Sequence, residues 1–188
     1  WKDHSQGQRE QASEIYQTML QAVSEPQPSE AQLESASALA EQLKAEHSSS
    51  TYARFAALHM AKVAVTEGDL AEAEAQLRWV LSKTDQVSDT GQIAQLRLAR
   101  VLVARGELDA AGQLLDQAAP DSGFDALYTE VRGDIHAARG EPVLASDAYQ
   151  QALDATAQGA PGRQLLQLKY DNFSGRVASA TATAETTQ

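Results

Sequence analysis

The chain has 188 residues, a formal charge of −11, 43% hydrophobic and 5% aromatic side chains, and no cysteine. That is enough apolar material for one core or a short stack of repeats, and the acidic balance argues against a nucleic-acid backbone or an anionic lipid surface as partner, because Coulomb repulsion opposes both. Without cysteine there is no disulfide framework, cysteine zinc site or thiol nucleophile within these residues, and no run approaches the roughly 20 apolar residues of a membrane span.

In chain order, Trp1-Lys2 is the kind of pair that flanks a membrane helix at the headgroup level. It leads us to read residues 1–7 as a juxtamembrane segment. A first helix is predicted over 8–23, where Ala12, Ile15, Tyr16, Met19, Leu20 and Val23 share one face. Glu25-Pro26-Gln27-Pro28 ends it, and Ser29 is the expected N-cap of a second helix over 30–46 with Leu33, Ala36, Ala40 and Leu43 as its apolar stripe. Together they make an atypical hairpin over 8–50.

Three better-defined hairpins follow, each turning on a glycine: Glu67-Gly68-Asp69-Leu70, Arg105-Gly106-Glu107-Leu108 and Arg139-Gly140-Glu141-Pro142. The glycines stand 38 and 34 residues apart, and an alanine follows each by five positions (Ala73, Ala111, Ala145). This is the period of the tetratricopeptide repeat, in which a helix, a tight turn and a second helix form one unit. The predicted pairs are 52–66 with 69–82, 91–104 with 107–118, and 124–138 with 142–156, in repeats spanning about 51–90, 91–123 and 124–159. Seven residues before each glycine stands a small residue (Ala61, Ala99, Gly133), and nine after it a larger one (Leu77, Leu115, Tyr149). Small beside large is what closely packed helices need. Pro142 replaces a leucine in the first turn of its helix, where the missing N–H costs little. A last helix over 163–174, carrying Leu165, Leu166, Leu168 and Phe173, is expected to cap the stack. The Ala/Thr/Ser stretch 176–188 reads as a disordered tail. The predicted fold is therefore all-α: a right-handed solenoid of antiparallel helix pairs forming one domain over 8–175.

The residues offer no catalytic, cofactor or metal site. His4, His47, His59 and His136 are scattered without metal-ligand spacing, and no HExxH, GxSxG or phosphate-cradling glycine loop occurs. His136 falls on an inward face and reads as a core histidine. Glu72/Glu74 and Asp69/Glu72 read as solvated helix carboxylates rather than an acid–base pair. What exceeds a plain scaffold is that helices 52–66 and 91–104 are apolar nearly all round, so each must be covered on every side. In this repeat geometry the first helix of each pair lines the concave face. By repeat position that face carries Phe55, Leu58, Lys62 and Val65, then Ile93, Leu96, Arg100 and Val103, then Leu127, Glu130 and Asp134. We expect it to take an apolar polypeptide segment, with Lys62 and Arg100 free for a carboxylate. The competing expectation is that helix 163–174 already fills it.

Several stretches in this order carry a more specific resemblance: Trp1-Lys2, Thr51-Tyr52-Ala53, Leu96-Arg97-Leu98-Ala99-Arg100-Val101, Arg132-Gly133-Asp134, and Gln167-Leu168-Lys169-Tyr170-Asp171-Asn172-Phe173-Ser174. Over about residues 1–174 the chain resembles the periplasmic domain of the YfgM family, ancillary subunits of the bacterial Sec translocon. The resemblance implies a short cytoplasmic segment and one membrane helix before Trp1, a single-pass inner-membrane anchor, and this domain in the periplasm of a Gram-negative bacterium. It implies as partners the Sec channel, the membrane-anchored chaperone PpiD, and unfolded client polypeptides to be handed to periplasmic chaperones. It transfers no catalytic residue. Two other classes stay open on the residues alone: a repeat scaffold in envelope assembly, such as a pilotin or outer-membrane assembly factor, and an accessory to an enzymatic domain elsewhere.

Overall fold

The computed structural model describes the backbone of residues 2–118 and 123–185 and the side chains of 6–118 and 123–177. Among these residues there are nine helices and no strand. They are α1 (Lys2–Ala22), α2 (Glu30–Glu46), α3 (Thr51–Glu67), α4 (Leu70–Ser82), α5 (Asp89–Ala104), α6 (Leu108–Asp116), α7 (Asp125–Ala138), α8 (Pro142–Ala155) and α9 (Arg163–Glu185). Consecutive helices pair as α1/α2, α3/α4, α5/α6 and α7/α8, and α9 packs on α8. The chain divides into two compact units at Asp85/Gln86.

The helix ends are set by side-chain chemistry. Ser29 and Gln32 form a reciprocal capping box at the start of α2, the Ser29 N–H donating to Gln32 Oε1 at 2.7 Å. Ser50, Asp69 and Ser88 cap α3, α4 and α5 by accepting from the backbone N–H of Tyr52, Glu72 and Gly91. The three turns are one motif repeated. Gly68, Gly106 and Gly140 have φ of 80°, 78° and 74°. In each turn the residue after the glycine donates five residues back, Asp69 to Ala64, Glu107 to Leu102 and Glu141 to His136, at 2.8–2.9 Å. That bond can form only if the chain enters the left-handed region, which glycine does without steric cost.

Packing follows the repeat positions. Ala73, Ala111 and Ala145 are fully buried, as are Ala99 and, nearly, Ala61; Leu77, Leu115 and Tyr149 fill the space opposite. The third pair is the tightest, for a Cβ on Gly133 would stand 2.5 Å from Tyr149 Cε1. In the first unit Ala12 and Met19 of α1 join Ala36, Ala40 and Leu43 of α2 and Ala53, Ala56 and Met60 of α3 in one core, with Trp79 packed at its edge. In the second, Leu166 of α9 enters the core of Tyr149, Ala152 and Leu153, with Phe173 against it.

Two segments depart from expectation. Helix α1 begins at Lys2 and not at residue 8, so 2–7 belong to the same helix, while Trp1 lies outside the described residues. Helix α9 runs to Glu185, past residue 174, so 176–185 are helical and not disordered; 186–188 lie outside the described residues. The stretch lacks apolar bulk, but alternate residues from 178 to 184 are alanine, the best helix former, and propagation of an established helix costs little.

Candidate functional site

On α3, the sequence-derived face divides by burial. Phe55 is 40% and Val65 47% exposed, and Lys62 is exposed without an ion pair among the described residues. Leu58 is only 8% exposed. Phe55 does not stand alone: its ring lies 6.4 Å from Tyr16 of α1, which in turn lies 5.7 Å from Tyr52. The exposed edge of Phe55 thus continues an aromatic cluster whose ring edges and faces attract. Burial raises the pKa of the Tyr16 hydroxyl.

On α5 the same division appears. Leu96 is 5% exposed, Ile93 and Val103 are half-buried, and Leu127 of α7 is 37% exposed. Leu58 and Leu96 therefore lie in the core, where the expected face had them open. The reason is that both helices are apolar nearly all round, and repeat position alone does not say which apolar side chains the fold covers. Arg100 departs as well, since its guanidinium Nη2 lies 3.6 Å from Glu130 Oε2 and so already has a carboxylate. Burial, and then the charge of Arg100, lowers the pKa of neighbouring Arg97, which stays protonated at physiological pH.

On α7, Glu130 and Asp134 are occupied from α9. Lys169 Nζ donates to Glu130 Oε1 at 2.7 Å and to both Asp134 oxygens at 2.7 and 3.0 Å, and the Tyr149 hydroxyl donates to Asp134 Oδ1 at 2.8 Å. Burial, then the Asp134 charge and its hydrogen bond, then Glu130, push the Tyr149 hydroxyl far above its ordinary range. The capping helix thus covers Glu130 and Asp134 with the charge of Lys169, while Leu165 and Leu168 are 58% and 65% exposed. Sequence reasoning missed the role of Lys169. Its signal was the pair Glu130 and Asp134, one turn apart on an otherwise apolar face, which demanded a cation.

The helix-surface carboxylates of the first unit have structural partners. Asp69 is the N-cap of α4, Glu72 accepts from Gln76, and Glu74 pairs with Arg78 at 2.6 Å. No cluster of potential metal ligands occurs among the described residues. His136 is not a core residue. It is half-buried, and its Nδ1 lies 2.6 Å from Glu141 Oε2 across the third turn. No described helix is long and apolar enough to cross a membrane.

Antiparallel helix pairs, each turned by a left-handed glycine at one period and closed by a small residue against a large one, define a tetratricopeptide-like repeat protein. The family model described as a tetratricopeptide repeat-like domain matches residues 1–175. The chain is 32% identical over 173 residues to a Haemophilus influenzae protein named ancillary SecYEG translocon subunit, covering 92% of this chain and 80% of that one. A protein of the same name from Escherichia coli is 31% identical over 174 residues, covering 93% and 80%. One from Neisseria gonorrhoeae is 38% identical over 101 residues, covering 54% and 47%. No solved structure matches. The chain belongs to the family of ancillary SecYEG translocon subunits, YfgM.

Proposed function

We propose that this domain is a non-enzymatic protein-interaction module that works beside the Sec translocon on the periplasmic side of the inner membrane, held there by an N-terminal membrane helix. It associates with the channel and with a PpiD-like membrane-anchored chaperone, and helps pass emerging polypeptides to periplasmic chaperones. The observation that carries this reading is the name shared by relatives that match more than nine-tenths of the chain. The helix faces support it. Phe55, Lys62 and Val65 in the first unit, and Ile93, Val103 and Leu127 in the second, leave apolar area open beside isolated charge, which suits extended polypeptide. Leu58 and Leu96 support those faces from within.

The test is site-specific photocrosslinking in cells from Val65 and Leu127 of the full-length protein. Crosslinks to translocon subunits, the anchored chaperone and nascent secretory chains are expected. Crosslinks confined to outer-membrane assembly components would replace this reading with that of an envelope scaffold.

A further inference from the structure

A cleft of about 440 Å³ opens between α2 and the C-terminal half of α3, within the first unit and away from the face discussed above. Its walls are matched. Glu30, Leu33, Glu34 and Ser37 on α2, and Met60, Val63, Ala64 and Glu67 on α3, follow the same i, i+3, i+4, i+7 spacing that puts side chains on one helix face. The floor is apolar. Met60 and Ala64 belong to the core, while Leu33 and Val63 are half-buried and keep part of their surface open. The rim is acidic, and no basic residue lines the cleft.

The carboxylates are not all explained by the fold. Asp69 caps α4, Glu72 holds Gln76, and Glu30 sits in the first turn of α2, where a negative charge complements the helix dipole. Glu34 lies beyond that turn and has no ion pair among the described residues. Glu67 is the last residue of α3, whose final turn holds no basic residue. A carboxylate there opposes the dipole and costs stability by a few tenths of a kcal/mol. The rim carboxylates do not converge as metal ligands do.

We propose that this cleft docks a basic, amphipathic peptide segment of a partner protein. The seven rises from i to i+7 at about 1.5 Å each give a groove about 10 Å long, room for about three extended residues. The segment that fits presents one apolar side chain to Leu33 and Val63, flanked by Lys or Arg reaching Glu34 and Glu67. Opposite charges at the rim set orientation and on-rate, and the apolar floor supplies the buried area. The inference stands on the cleft itself and holds whether or not the domain sits at the translocon.

Fluorescence anisotropy with a glycine-flanked, fluorescein-labelled Arg-Leu-Arg peptide tests it. Saturable binding is expected, weakened about tenfold or more by Glu34→Lys with Glu67→Lys, and by Val63→Ser. Replacing the leucine by serine, or the arginines by glutamate, should abolish saturation. Glu14→Lys with Glu25→Lys, equal in charge but outside the cleft, should change the affinity less than twofold once salt is near physiological. Circular dichroism melts confirm that each variant is folded; Glu34→Gln with Glu67→Gln gives a milder probe if the lysine pair is not. The proposal is overturned if the peptide does not saturate, if the two charge-reversed pairs weaken it equally, or if the leucine is dispensable, which would reduce the effect to general attraction by an acidic protein.

Discussion

Gly133 and Tyr149 show how one position depends on another. The large residue of the third pair is a tyrosine where the others use leucine, and only a glycine leaves room for its ring. Gly133→Ala gains about 1 kcal/mol of helix propensity but drives a Cβ into a rigid ring, and we expect a net loss of about 1–2 kcal/mol. Adding Tyr149→Leu should recover part of that loss in urea unfolding. The same tyrosine should lower stability at alkaline pH. Its hydroxyl is held neutral by burial and by Asp134, so its folded pKa lies above the unfolded value of about 10. The folded state then binds more protons than the unfolded one above that pH, and stability is lost as pH rises past about 10. Tyr149→Phe should flatten the fall in melting temperature between about pH 9 and 11, read against wild type by circular dichroism. A slope equal to wild type would assign the loss to Tyr16 and Tyr128, which burial also shifts upward.

Among the elements, α9 packs on α8. Leu166 enters the core, Phe173 lies 5.8 Å from the Tyr149 ring, and Lys169 joins Glu130 and Asp134. Its other leucines face outward. Lys169→Met leaves two half-buried carboxylates, Glu130 beside Arg100 and Asp134 with the Tyr149 hydroxyl, and should cost about 1–3 kcal/mol. Amide hydrogen exchange should quicken over 163–177 before it does in α7. Adding Glu130→Gln and Asp134→Asn should restore part of the stability. If exchange quickens uniformly instead, Lys169 stabilises the unit as a whole and is no local latch. The turns behaved otherwise, for their glycines announced both position and conformation. The course of α9 beyond 174 was harder to read, because a polar alanine-rich stretch suits a coil and a helix alike until an existing helix extends into it.

Across the molecule, burial decides which apolar residues are free to bind. Leu58→Asp and Leu96→Asp put an unpaired charge where 8% and 5% of the side chain meets solvent, and each should cost about 3–5 kcal/mol and lose helical circular dichroism. Val65→Asp and Leu127→Asp, at 47% and 37%, should leave the melt within about 1 kcal/mol of wild type while weakening capture of a partner chain. Native spectra for both Leu58→Asp and Leu96→Asp would return those residues to the surface.

The division between sequence and structure follows from locality. Helix spacing, caps and glycine turns depend on residues within about one repeat, so the helix ends at the three glycine turns, the capping role of Ser29 and the small-beside-large register could be read directly from the chain. Ala99 and Ala111 were expected at buried contacts and are there. The fate of Leu58, Leu96, Arg100 and Lys169 depends instead on partners or cover brought by folding: Glu130 lies 30 residues from Arg100 and 39 from Lys169. No periodicity encodes such pairings, since hydrophobic spacing marks a face as apolar or polar without saying what the fold lays upon it.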